Sequence, residues 1–178
     1  MSRTGDYLNE DIGVKEAIQQ AIQMEKDGYA FYMRAAAQTS NEIGSRIFQS
    51  LAKDEQMHLD TFQKLFEDCI DKAEYEKLVN SSKKYANLPV FPKDLRVTEG
   101  ANPDTNDLDA LNAAMDSEKQ AIDYYSMILE KTEDEGARDV IKEIIHQEKN
   151  HYHILEEEFD FLGRTGYWYD SEHLSLED

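Results

Sequence analysis

Six residues of types that bind metal ions recur in a fixed order along this 178-residue chain: Glu25, then Glu55 and His58, then Glu118, then Glu148 and His151. Each histidine follows its glutamate by three positions, and the step from Glu25 to Glu55 is repeated, at 30 residues, from Glu118 to Glu148. Residues at i and i+3 share one face of a helix, so a glutamate and a histidine at that spacing can reach the same ion. A lone Glu-x-x-His is common by chance. The order Glu, Glu-x-x-His, Glu, Glu-x-x-His with equal steps is not.

The surroundings of these residues decide how they read. Positions 18, 22, 25, 29, 32 and 36 form a helical seam that is apolar or aromatic except at Glu25, and 48, 51, 55, 58, 62 and 65 form one broken only by Glu55 and His58. The second half does the same with Glu118, and with Glu148 and His151. Six polar side chains are therefore expected at one level of an apolar interior. Burying an unpaired ionised carboxylate costs several kcal/mol, so four together would cost on the order of ten kcal/mol, comparable with the stability of a whole domain. Lys26 and Lys119 lie one position off the seam, and two histidines cannot neutralise four carboxylates. Two divalent cations can, because four glutamates and two neutral imidazoles then sum to zero. Protonated or salt-bridged core glutamates without metal are the competing reading. With two ions, Glu55 and Glu148 bridge, Glu25 and Glu118 cap one ion each, and each histidine binds one, the general pattern of di-iron and di-manganese carboxylate bundles.

Four helices must position these groups. Apolar residues recur at helical spacing at Val14, Ile18, Ile22, Tyr29, Tyr32 and Ala36, then at Phe48, Leu51, Phe62, Leu65 and Cys69, which predicts helices over about 12–38 and 42–69. Leu111, Met115, Ile122, Tyr125 and Leu129, then Val140, Ile144, Leu155, Phe159 and Leu162, predict two more over about 107–131 and 135–162. Capping boxes are read at Thr39 with Glu42 and at Thr132 with Glu135, and the short breaks make antiparallel hairpins. All three prolines (Pro89, Pro92, Pro103) fall in a linker over about 86–106, and DKAEYEKLVNSSKKYA before it reads as a polar helix. One long crossover between two hairpins is the connectivity of an all-α, ferritin-like four-helix bundle, expected as a single domain over 1–178 with a tail from 163. A constant offset of 93 residues relates the halves: Glu25 maps to Glu118, Tyr32 to Tyr125, Glu55 to Glu148 and His58 to His151, with no gap from 17 to 66. A hairpin facing its own copy across a pseudo-two-fold axis would build the site twice from one pattern.

Composition narrows the partners. The net charge is −19, from 38 acidic against 19 basic residues, a field that repels phosphate backbones and concentrates cations; a solvated acidic surface alone would give the same count. Nucleic acid is not expected as a partner. No stretch approaches the roughly 20 apolar residues that cross a bilayer, and the opening residues lack the order of a secretory signal, so no membrane association and a cytoplasmic location are expected. The single cysteine, Cys69, leaves no internal disulfide and no Cys-x-x-Cys redox pair in this sequence, and its place on the second helix's apolar seam reads as packing.

The segments ALNAAMDSEKQAIDYY, LAKDEQMHL and IIHQEKNHYHIL resemble the rubrerythrin family and its ferritin-like relatives, with the likeness running through residues 12–162. The resemblance implies two iron ions and reduction of hydrogen peroxide or dioxygen; the choice of iron rests on it, since oxygen and nitrogen ligands also accept manganese. Two departures stand out. The likeness is to the erythrin part alone, without the Cys-rich rubredoxin part, and Ala121 stands where the family carries an extra glutamate one turn after the third-helix ligand. A di-iron oxidoreductase is therefore expected, with an external electron donor such as a rubredoxin or flavoprotein and a homodimeric assembly. The alternative is oxidation of Fe²⁺ itself, for storage or detoxification.

Other residues carry weaker signals. Tyr32 and Tyr125 lie two turns beyond Glu25 and Glu118 and are expected to hydrogen-bond a ligand carboxylate or pass an electron, a buried hydroxyl needing a partner in any case. His146 and His153 fall off the seam and read as surface residues, and His173 lies in a polar tail. The Tyr167, Trp168 and Tyr169 cluster covers either the bundle or an oligomer contact.

Overall fold

Long amphipathic segments with proline absent from their interiors dictate helices, and a computed structural model places four of them: α1 (Val14–Gln38), α2 (Glu42–Glu67), α3 (Pro103–Lys131) and α4 (Glu135–Thr165). It describes residues 14–67, 91 and 103–169, and among them there is no strand. Cys69, His173, the polar helix expected after 70 and most of the linker lie outside the described residues. Helix α3 starts four residues before the expected 107, because Pro103 occupies its first turn, where a missing amide proton costs nothing. Helix α4 runs past Gly163 and stops at Gly166, whose φ of 75° suits glycine and whose amide caps the Leu162 carbonyl at 2.8 Å.

The two caps sit two residues later than the threonines. The Asn41 side chain accepts the amides of Ile43 (2.8 Å) and Gly44 (3.2 Å), and Asp134 accepts that of Ala137 at 2.8 Å. Asn41 and Asp134 are themselves related by the 93-residue offset. The Thr39 and Thr132 hydroxyls are engaged elsewhere, on Asp107 at 2.8 Å and on the Ile128 carbonyl at 2.7 Å. Tyr29 is also corrected: it is exposed, because α1 turns Gly28 inward instead.

Helix α1 packs closely on α2 and α3 on α4, while between the hairpins α1 meets α3 and α2 meets α4 at wider backbone spacing. Two apolar clusters fill the interior. One gathers Phe31, Tyr32, Phe48, Leu51, Leu111 and Leu155; the other gathers Ala21, Phe62, Tyr124, Tyr125, Ile141 and Ile144. The offset of 93 exchanges them: Phe48 corresponds to Ile141, Leu51 to Ile144, Phe62 to Leu155 and Phe31 to Tyr124. The polar level containing Glu25, Glu55, Glu118 and Glu148 lies between the clusters along every helix. None of the described helices is long and apolar enough to cross a membrane.

Trp168 closes one end of the bundle. Its ring meets Phe48 edge-on at 5.6 Å, and its indole N–H donates to Asp107 at 3.0 Å, the same carboxylate that receives Thr39. The Tyr169 amide donates to buried Glu158 at 3.1 Å, so the tail segment is tied down on both sides of a buried indole. The contact leaves no room at Gly44, where an added Cβ would lie 2.5 Å from Trp168 Cε2. Gly44→Ala is expected to expel the indole, destabilising the bundle by about 1–3 kcal/mol. As Trp168 is the only tryptophan, its fluorescence should shift to the red alongside a lowered melting temperature; an unchanged spectrum would refute this packing.

Candidate metal centre

The spacing that put six polar groups on four seams delivers them to one place. Glu25, Glu55, His58, Glu118, Glu148 and His151 are all no more than 3% exposed. Their ligand atoms form two quartets, Glu25, Glu55, His58 and Glu148, and Glu55, Glu118, Glu148 and His151, with all atoms of a quartet within 4.8 Å of one another. Glu55 and Glu148 belong to both. Each quartet thus has three carboxylates and one imidazole, drawn from both hairpins.

Both imidazoles turn Nδ1 toward the carboxylates. His58 Nδ1 lies 3.1 Å from Glu25, 3.3 Å from Glu148 and 3.8 Å from Glu55. His151 Nδ1 lies 3.1 Å from Glu148 and 3.7 Å from both Glu55 and Glu118. The opposite nitrogens are held from behind: His58 Nε2 lies 2.7 Å from the Gln147 amide oxygen and His151 Nε2 lies 3.5 Å from the Asp54 carboxylate. The Gln147 amide nitrogen donates to Glu143 at 3.1 Å, which leaves its oxygen for His58 and so puts the His58 proton on Nε2. With Nε2 protonated, Nδ1 is free to bind an ion.

Tyr32 and Tyr125 act across the hairpins and not along their own helices. The Tyr32 hydroxyl donates to Glu118 and the Tyr125 hydroxyl donates to Glu25, each to an Oε1 oxygen. Both rings are fully buried. Hydrogen bonds to charged groups contribute about 1.5–3 kcal/mol each, and here they also fix which carboxylate oxygen remains for an ion.

Close approach on one side is eased by a glycine. A Cβ at Gly28 would meet Glu55 Cδ and the Phe91 ring, each at 3.1 Å, so this position stays bare for the carboxylate to pass. Phe91 packs on Phe31 at 5.3 Å and Tyr32 at 5.7 Å, shielding this flank from water. The equivalent of Gly28 in the second hairpin is Ala121, which is buried in the second apolar cluster.

The electrostatics of the protein groups alone show what the cluster demands. Burial, then the charge of Glu148, pushes the Glu118 carboxyl up to about 8, and burial with the charges of Glu148 and Glu25 raises Glu55 well above the carboxylate range. Burial opposes a charge on the imidazoles, yet Glu25, Glu148 and Glu55 hold His58 far above its ordinary value, while Asp54, Glu118 and Glu148 hold His151 at about 12. Burial also opposes ionisation of Glu148, but hydrogen bonds from His151 and His58 carry it below the usual range. Every one of these shifts is a buried negative charge seeking a positive one. Among the described residues, Glu55 Oε1 and Glu118 Oε2 have no hydrogen-bond partner although both are buried. Unpaired carboxylate oxygens aimed into a nest of Nδ1 and Oε atoms are what two bound cations would satisfy, so this donor set fits a metal pair.

His146 and His153 are exposed, His153 lying 3.7 Å from Glu156, and neither enters the cluster. Sequence reasoning missed Asp54, Gln147, Gly28 and Phe91. The signal for the first two was present: each immediately precedes the glutamate of a Glu-x-x-His pair, and the 93-residue offset pairs them. Phe91, in the linker, carried no signal.

Solved structures share this architecture. A hypothetical protein from Pyrococcus furiosus is 20% identical, with 85% of this chain and 91% of that one covered at a TM-score of 0.70. A Thermotoga maritima protein described as a ferritin-like diiron-carboxylate protein is 25% identical over 90% of this chain and all (100%) of that one, at 0.61. KatB, a manganese catalase from Anabaena PCC7120, is 17% identical over 96% of this chain and 84% of that one, also at 0.61. At 20% and 17% identity the first and third show the fold alone. No curated protein matches the sequence. The rubrerythrin family profile matches residues 16–159 and, separately, residues 2–66, a span that covers most of the chain and contains all six clustered residues: the chain belongs to the rubrerythrin family.

Proposed function

We propose that this protein is a di-iron oxidoreductase that reduces hydrogen peroxide or dioxygen with electrons from an external carrier. The observation that carries the reading is the pair of quartets sharing Glu55 and Glu148, with buried carboxylate oxygens that no described residue satisfies by a hydrogen bond. Family membership and the likeness to a diiron-carboxylate protein support iron, and manganese is the alternative ion that the same donors accept.

When bound, the iron pair supplies the electrons and the Lewis acidity that reduction of an O–O bond requires. The protein's part is positioning and insulation. Glu55 and Glu148 stand between the two positions, Glu25 with His58 closes one, and Glu118 with His151 closes the other. Tyr32 and Tyr125 each hold a proton at Oη on a carboxylate, and burial, then the charge of Glu118 for Tyr32 and of Glu25 for Tyr125, pushes both phenols up, so they stay protonated. They would steady Glu118 and Glu25 by donating to one oxygen of each. The apolar clusters on both sides, with Phe91 over one flank, exclude bulk water. One cysteine in the sequence cannot form a rubredoxin-type four-thiolate iron site, and by analogy with the family a rubredoxin or flavoprotein is the class of donor proposed.

A second reading is favoured by one feature: Gly28 and Ala121 leave both positions one turn after the capping glutamates without a carboxylate. If the extra glutamate of the family is needed for peroxide turnover, the site would instead oxidise Fe²⁺ as its substrate, and iron retained in multiples per chain would be the outcome.

Stopped-flow mixing of the iron-loaded, reduced protein with peroxide and with dioxygen separates these readings. Oxidation well above the rate of free Fe²⁺, sustained by a reduced carrier, is expected; no acceleration with either oxidant sinks the assignment. Glu55→Ala or Glu148→Ala should reduce metal content from two ions per chain to one or none, and two retained ions would mean the bridges are wrongly assigned. Tyr125→Phe leaves Glu25 Oε1 without its donor and is expected to slow oxidation about tenfold, or to weaken the ion beside Glu25 by a similar factor. Equal rates and metal content in the variant and the parent would remove Tyr125 from the mechanism.

A further inference from the structure

The two quartets offer the same donors, three glutamate carboxylates and one histidine Nδ1, and share two of the carboxylates. Each capping glutamate receives one tyrosine hydroxyl from the other hairpin. In the kinds of donor closest to the ions, therefore, the pseudo-two-fold pattern is kept, and differences of residue type begin behind the ligands. There it is broken. Positions 54 and 147 are equivalent by the 93-residue offset and do the same job across the bundle, yet one is aspartate and the other glutamine.

We infer that the two metal positions are unequal, the one at His151 holding a divalent cation more tightly because Asp54, a carboxylate, backs its imidazole, whereas the neutral amide of Gln147 backs that of His58. The inference rests on the metal-pair reading above. A carboxylate accepting an imidazole N–H raises the electron density at the other ring nitrogen and makes it a stronger donor; an amide oxygen does so less. Asp54 Oδ2 is the farther acceptor, at 3.5 Å against 2.7 Å for Gln147. A full charge falls off only as 1/r, so it still outweighs the closer amide dipole. Asp54 also adds a second-layer negative charge on the His151 side of the pair, one that Gln147 does not match. Its side chain is 33% exposed, so solvent screens part of the effect. The expected preference is about tenfold, the lower end of what such partners confer.

Zn²⁺, which is diamagnetic, makes the order of release visible. The full-length protein loaded with two Zn²⁺ per chain would be titrated with a chelator while ¹⁵N signals of His58 and His151 are followed separately by NMR. His58 is expected to lose its ion first, at about tenfold lower chelator. Asp54→Asn keeps the shape and an acceptor but removes the charge; it should weaken retention at His151, leave His58 unchanged and abolish the order. Gln147→Asp should strengthen retention at His58 and equalise the two from the other direction, a gain that damage to the fold cannot mimic. Simultaneous release in the parent, or an order and ratio unchanged in both variants, overturns the inference while leaving the metal pair standing. A protein that takes up no stoichiometric Zn²⁺ overturns the inference and the metal reading together.

Discussion

Four buried carboxylates at one level of an apolar bundle are a debt in free energy that the rest of the structure is arranged around. Left without counter-charge, they would cost on the order of the domain's whole stability. The protein's own groups answer only part of the demand. Two imidazoles are drawn far toward the charged form, Glu118 and Glu55 are driven toward protonation, and two carboxylate oxygens find no hydrogen-bond partner among the described residues. Cations complete what the side chains begin, and the wider spacing between the hairpins is what leaves room for them.

The same constraint explains why the polar contacts cross the bundle. Within each hairpin, helices pack closely. Between hairpins the polar level interrupts the apolar contact, and there the joining is done by reciprocal hydrogen bonds: Tyr32 to Glu118, Tyr125 to Glu25, and His58 against Gln147. Each bond both links the two copies and orients a ligand. A site made this way couples its geometry to the docking of the hairpins, so the groups are placed by rigid helices and not by loops.

The four helices and all six clustered residues were legible because they depend on local periodicity and on an exact internal repeat. An acid on an apolar seam is visible in one dimension, and its recurrence at a constant offset distinguishes it from chance. What could not be read depends on distance in space. Tyr32 and Tyr125 were recognisable as buried hydroxyls in need of partners, but their partners lie on the opposite hairpin, beyond any helical spacing. The caps were misplaced by two residues for a related reason: Thr39 fits a capping box on spacing, but its hydroxyl is committed to Asp107 on α3 and Asn41 takes the role. Tyr29 obeys the apolar period, yet Gly28 faces inward, where an added Cβ would press on Glu55 and Phe91 at 3.1 Å. Trp168 was ambiguous between covering the bundle and covering a partner until the hollow at Gly44 and the Asp107 acceptor located it.

Where the repeat has diverged is as informative as where it has not. The six clustered residues and the two tyrosines are identical between copies. Differences begin one layer out: Asp54 against Gln147, Gly28 against Ala121, Phe31 against Tyr124. Tyr124 shows the tolerance of that layer, since its extra hydroxyl is accommodated by the Ala17 carbonyl and the Gln20 side chain, both at 3.0 Å, while its ring meets Tyr125 much as Phe31 meets Tyr32. Charge balance holds the inner shell to one solution; the outer shell need only pack and satisfy its own polar atoms. Outer positions are thus free to distinguish two halves whose clustered residues are alike, as Asp54 against Gln147 does.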